Sequence, residues 1–193
     1  MTSNGLVQQK LDQATEILDE VGLDLWLIVA RESDVLGDPS LPLILGTSVT
    51  WESAFLISRT GDHKAIVGTG DVDNVLQTGA WTEVEGYIES FGPPLLAALE
   101  NMQPRSIGLS YSQDNSMADG LTYGMYLELQ RHLGETKFWP LICSAEPAAA
   151  RLRARKSPVE IQRIRDAITT TERIWVELGE WLRPGVSERE ISE

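Results

Sequence analysis

The sequence predicts an α/β protein: a three-layer α/β/α domain around a mixed, mostly parallel sheet containing one antiparallel hairpin, followed by a long C-terminal helix. Three observations carry this expectation. Helix-like and strand-like apolar periodicities alternate through residues 1–143. One strand–turn–strand pattern interrupts the alternation. A capped amphipathic run then follows Ser157.

Val7, Leu11, Ala14, Leu18 and Val21 recur at steps of four and three and predict an opening helix, with Gly22 placed to end it. Leu25 to Val29 is a continuous apolar run of the kind that forms a buried central strand. Gly37, Asp38-Pro39 and Pro42 predict a loop over Arg31 to Pro42. Ser53 to Ile57, the turn Arg59 to Asp62 and the strand Lys64 to Val67 form the hairpin. Asp71 is expected to cap a short helix through Leu76, and Trp81 to Glu85 to form a half-exposed strand. Pro93-Pro94 opens a helix through Met102, and Ile107 to Tyr111 reads as a strand. Asp119 to Leu133 reads as a helix striped by Leu121, Met125, Leu129 and Leu133. Lys137 to Ile142 reads as an edge strand because of Pro140.

Residues 144–157 read as a connector: a short Ala-rich helix over Ser144 to Arg155, then the approach to Ser157. From Ser157, the pattern Ser-Pro-Val-Glu writes a capping box with proline at the first helical position. The helix that follows carries Ile161, Ile164, Ile168, Trp175, Leu178 and Leu182 on one stripe, widened by Ile174 and Trp181. Pro184-Gly185 ends it, and Ser187 to Glu190 writes a second capping box with only Glu188 to Glu193 remaining. A helix that short is marginal alone because nucleation is costly. The tail therefore reads as a chain truncated just inside a second domain, residues 158–193. Its apolar face, with Ile174, Trp175 and Trp181, is the candidate interface.

Charge narrows the function classes. Residues 1–150 carry 21 acidic against 7 basic side chains, and residues 151–193 carry 8 against 9. So acidic a body disfavours nucleic acid and anionic lipid. The basic run Arg151 to Lys156 reads as a solvated or internally paired helix face. A single cysteine, Cys143, excludes an internal disulfide framework, and it reads as a small core residue. The opening lacks a signal pattern and no apolar run spans a membrane, which predicts a cytoplasmic protein.

The chain offers no complete catalytic set. Its two histidines, His63 and His132, lack partners at metal-ligand spacing. Asp71 to Asn74 starts like a calcium loop but has Leu76 and Thr82 where glycine and glutamate belong. Gly68-Thr69-Gly70 lacks the third glycine of a dinucleotide fingerprint, and Asp71 and Asp73 would repel a pyrophosphate. No Gly-x-Ser-x-Gly elbow exists. Trp26, Trp51, Trp81 and Trp139 read as core or interface residues.

The junction itself resembles a known family. Leu152-Arg153-Ala154-Arg155-Lys156-Ser157-Pro158-Val159-Glu160-Ile161, then Ile164-Arg165-Asp166-Ala167, then Leu182-Arg183-Pro184-Gly185-Val186-Ser187-Glu188, is similar to the creatinase, prolidase and aminopeptidase P family. There, such motifs mark the passage from an N-terminal α/β domain into the pita-bread catalytic domain. The resemblance implies a parent metallopeptidase of Xaa-Pro type. Two divalent metals would be held by two Asp, one His and two Glu lying downstream of Glu193. It also implies a homodimer in which the N-terminal domain shapes access to the active site. The chain itself is then expected to hold no metal and no catalytic residue. Pro42-Leu43-Ile44-Leu45-Gly46 stands where family members often show Tyr-Leu-x-Gly, so no substrate contact carries over from that loop. Creatinase-like members leave a non-peptide substrate open. The alternatives are a stand-alone binding or assembly module and, on Gly68 to Gly70 alone, a nucleotide-binding protein.

Overall fold

The computed structural model describes residues 3–81 and 83–192. It contains two compact units, Met1–Arg155 and Lys156–Glu193. The first comprises, in chain order, α1 (Ser3–Val21), β1 (Leu25–Ala30), α2 (Ser33–Leu36), α3 (Leu41–Ile44), β2 (Ser53–Ser58), β3 (His63–Gly68), α4 (Val72–Leu76), β4 (Glu83–Tyr87), α5 (Gly92–Met102), β5 (Ile107–Leu109), α6 (Tyr123–Leu133), β6 (Ile142–Ser144) and α7 (Glu146–Ala154). The second comprises α8 (Pro158–Trp181) and α9 (Glu188–Ser192). Among the described residues no helix is long and apolar enough to cross a membrane.

The six strands form one mixed sheet in the order β4-β3-β2-β1-β5-β6. β1 pairs in parallel with β5, β3 with β4, and β5 with β6. β2 runs antiparallel to both its neighbours, closing the hairpin with β3 and lying against β1. Every residue of β1 is buried, because both faces of this central strand are covered. Trp26, Ile28 and Ala30 enter one core with α1, α3 and α7; Leu25, Leu27 and Val29 enter the other with α5 and α6. Those two cores are the two interlayer spaces of the α/β/α sandwich.

α1 ends because Gly22 takes φ +71°, a conformation that costs glycine little. The Leu23 N–H then donates back to the Leu18 carbonyl at 2.9 Å. α7 is fastened onto α1 from its own end. The buried Lys10 ammonium donates to the Arg155 and Leu152 carbonyls at 2.6 and 3.4 Å, satisfying groups that a helix C-terminus leaves open. Outside it, Arg155 pairs with Glu16 and Glu20, and Arg151 with Glu20. Arg153 donates to the Pro39 carbonyl at 2.7 Å. The arginines of the basic run are thus bound within the body.

Several local expectations need correction. The loop after β1 contains two single-turn helices, α2 and α3. Asp71 sits before α4 but makes no side-chain cap; its carboxylate accepts instead from Thr50 N–H at 3.0 Å, tying the β1–β2 loop down. β4 begins two residues later than expected, and Trp81 leaves the strand to pack on Phe55 at 5.3 Å. Thr82, part of the expected strand and of the calcium-loop comparison, lies outside the described residues, as does Glu193. β5 is shorter than expected, ending at Leu109. α6 starts at Tyr123 rather than Asp119, because the Thr122 hydroxyl accepts from Met125 N–H. The segment Lys137 to Ile142 is not a strand: Trp139–Leu141 is a 3₁₀ turn built on Pro140, and the edge strand is β6. Cys143 is exposed on that edge strand rather than buried in the core.

In the second unit, Ser157 and Glu160 form the full capping box: Glu160 N–H donates to Ser157 Oγ, and Ser157 N–H donates to the Glu160 carboxylate. Ser187 and Glu190 repeat the pattern ahead of α9. None of the residues of α8 is buried.

Candidate functional site

The histidines lie in the two different cores of the body. His63 opens β3 and its ring meets the edge of Trp81 at 6.2 Å. His132 lies in the last turn of α6, edge-on to Phe91 at 5.3 Å, with Glu128 at 3.9 Å from Nε2. Burial lowers the pKa of both imidazoles, so the neutral ring is favoured. Gly92 is required beside His132, since a Cβ there would overlap the ring. Both histidines are packing elements. Among the described residues no three His, Cys, Asp or Glu side chains are placed to share a metal ion. The donor set for a two-metal centre is therefore not found among these residues, and no chemical step can be derived through one.

A cleft of about 750 Å³ opens where β1 starts and the β2–β3 turn lies. Its charges neutralise one another. Asp24 bridges Arg105 and Arg59, each at 3.1 Å, and its hydrogen bond to Arg105 holds the carboxyl below the usual range. Lys64 reaches Glu83 and Glu85, each at 2.7 Å. Burial opposes the Lys64 charge, but those two hydrogen bonds outweigh it and raise its pKa. Such a network of paired charges organises a surface.

A second polar group is buried in the loop after β1. Asp38 is 2% exposed; its carboxylate accepts from Ser40 N–H at 2.7 Å. Gly120 lies against it so closely that a Cβ would collide with the carboxylate. Nearby, Ser110 Oγ accepts from the Trp26 indole at 3.0 Å. Burial pushes the Asp38 pKa up, against hydrogen bonds from Ser40 and Ser110 and the charge of Arg153. Sequence reading treated Asp38 only as a turn former, since Asp-Pro marks loops regardless of burial.

Gly68, the first glycine of the proposed dinucleotide loop, is there for another reason. A Cβ at Gly68 would overlap the Trp51 ring, so the close approach is made by the protein itself. The candidate interface residues Ile174, Trp175 and Trp181 are 54%, 67% and 44% exposed on α8.

No family profile matches the sequence, and no curated protein matches it. Solved structures do. The Xaa-Pro dipeptidase from Bacillus anthracis superposes with a TM-score of 0.65 at 20% identity, over 96% of this chain and 46% of its own. Dipeptidase PepE from Mycobacterium ulcerans gives 0.67 at 15% identity, over 99% and 48%. The creatinase/prolidase N-terminal domain of an X-Pro dipeptidase from Streptococcus pyogenes gives 0.53 at 16% identity, over 74% of this chain and 98% of its own. The chain contains the fold of a creatinase/prolidase N-terminal domain. It spans about half the length of the two dipeptidases.

Proposed function

We propose that this chain is the non-catalytic N-terminal domain of an Xaa-Pro-type dinuclear metallopeptidase, joined to the opening helices of its catalytic domain. The observation that carries the reading is the span of the likeness. The two dipeptidases, about twice as long, match nearly all of the chain, whereas an N-terminal domain alone matches about three quarters of it. The junction motifs from Leu152 to Glu188 support the same division, with residues 158–193 belonging to the catalytic part. In this reading the N-terminal domain serves dimerisation and controls entry to the active site, and the parent enzyme holds two divalent metals. The test is a proline-dipeptide assay with metal analysis of the purified chain. No turnover and no stoichiometric manganese, cobalt or zinc are expected; turnover with bound metal overturns the reading.

The apolar face of α8 favours a second reading, a stand-alone assembly module. Ile161, Ile164, Ile168, Thr171, Trp175, Leu178 and Leu182 alternate at steps of three and four, the spacing of a two-helix seam. A second copy would then cover Ile174, Trp175 and Trp181. Sedimentation over a concentration series separates the two: a monomer at high concentration removes the module reading.

A further inference from the structure

We infer that the cleft at the start of β1 is a binding site for a small carboxylate on an aliphatic stem, held by Arg59 and Arg105. Both arginines line the cleft, and its volume of about 750 Å³ is in the range of small-ligand sites. Their guanidinium groups share one anchor. Arg59 Nε lies 3.1 Å from Asp24 Oδ1, and Arg105 Nε donates to Asp24 Oδ2 at 3.1 Å. Arg105 N–H donates to the same Oδ2 at 2.9 Å. Asp24 is itself fixed: its N–H donates to Ser106 Oγ at 2.9 Å, and its carbonyl accepts from Arg59 N–H at 3.1 Å. Only the Nε atoms of the two side chains are used in this way. Among the described residues, the terminal nitrogens of Arg59 and Arg105 make no hydrogen bond or ion pair. An arginine presents its donors as a planar fork that matches an oxyanion. Here one carboxylate positions two such forks and leaves their ends open.

Charge narrows the oxyanion. Asp24, Arg59 and Arg105 together carry one net positive charge, which a single carboxylate neutralises and a phosphate dianion exceeds. The body, with 21 acidic against 7 basic side chains over residues 1–150, opposes the second charge further. The other charged groups of the lining are occupied. Lys64 is held between Glu83 and Glu85 at 2.7 Å each, and the Asp62 carboxylate accepts from the Thr60 hydroxyl at 2.9 Å. Lys64 and Glu83 belong to β3 and β4, which lie on the far side of β2 from the strand that Asp24 precedes. The acids of that side therefore stand away from the arginine forks. Leu25, Ala98, Met102 and Pro104 supply apolar lining, which suits an aliphatic stem.

The test is an NMR titration of the full chain, at constant ionic strength, with butyrate, its uncharged isostere butyramide, and inorganic phosphate. Saturable shifts of the Arg59 and Arg105 Nε–H signals are expected with butyrate, with butyramide at least tenfold weaker and phosphate no tighter than butyrate. Arg105→Gln, at a side chain 78% exposed, should weaken butyrate at least tenfold while circular dichroism stays unchanged. Arg105→Lys keeps the charge and loses the fork, so it should still weaken binding several-fold. Arg59→Gln repeats the test from the other side of Asp24 and should also weaken binding at least tenfold. Arg131→Gln, which removes an exposed arginine outside the cleft, should leave the affinity unaltered. Absence of saturation, equal binding of butyrate and butyramide, tighter binding of phosphate, or full affinity in either glutamine variant of the cleft each overturns the assignment.

Discussion

Helices α1 and α8 both carry a continuous apolar stripe, yet their stripes meet opposite outcomes. On α1, Val7, Leu11, Ala14, Ile17 and Leu18 are all buried in the core shared with β1 and α7. On α8, Ile161, Ile164, Ile168 and Trp175 all remain exposed, as does Leu182 just after it. Periodicity thus specifies which face of a helix will be covered and says nothing about what covers it. The first helix finds its cover within the body. The second carries the same code on a face that is exposed.

The contrast can be broken most directly by truncation. Leu18→Ala should cost about 2–5 kcal/mol of stability in urea unfolding, because it opens a cavity against a filled core. Ile168→Ala should change stability by less than about 0.5 kcal/mol. A comparable loss at both positions would mean that the α8 face is covered in solution. If a second copy supplies that cover, Trp181→Glu should weaken the dimer at least tenfold by sedimentation. An unaltered dimer would place its interface elsewhere.

Capping sharpens the comparison at a smaller scale. Ser157→Ala removes the hydroxyl that accepts from Glu160 N–H and should destabilise the start of α8 by about 1 kcal/mol. Faster amide exchange confined to the first turn is the expected signature; exchange unchanged there would mean that the box contributes nothing.

Two carboxylates of the body should respond to pH in opposite directions. Asp38 has a raised folded-state pKa, so its stabilisation is complete below the unfolded-state value and is lost as pH rises through the folded one. Asp24 has a lowered pKa, so its contribution is present above the unfolded-state value and disappears as pH falls through the folded one. Urea titrations of Asp38→Asn and Asp24→Asn against the parent chain, from pH 3 upward, should diverge accordingly. Parallel curves for the two variants would contradict both assignments.

Much of the fold was legible wherever one local signal had no competitor. The unbroken apolar run from Leu25 is short enough for a strand covered on both faces, and Ser157 with Glu160 writes a helix start. Errors arose where two local signals competed. Asp119 and Thr122 are both capping residues, and only the structure reveals that Asp119 spends its carboxylate on Ser112 while Thr122 caps α6. Phe138 and Trp139 have strand-like character, but Pro140 bends that stretch into a 3₁₀ turn. The contact between Tyr126 and Trp139 was beyond sequence reading for a different reason. Tyr126 and Trp139 come from a helix and a later turn, and only tertiary packing sets their rings 5.5 Å apart. For the same reason, the depth at which Asp38 is buried could not be read from its loop-forming neighbours.

The Lys10 ammonium that closes the end of α7 has a practical consequence for chemical labelling. At 1% exposure, with its protons held by the Arg155 and Leu152 carbonyls, this amine is shielded from acylating reagents while the body is intact. Lys137, exposed beside Glu100, remains open to the same reagents. The ratio of the two modified peptides in a mass spectrum then works as an internal clock: Lys137 counts time in the reagent, and Lys10 counts the moments when α1 and α7 come apart.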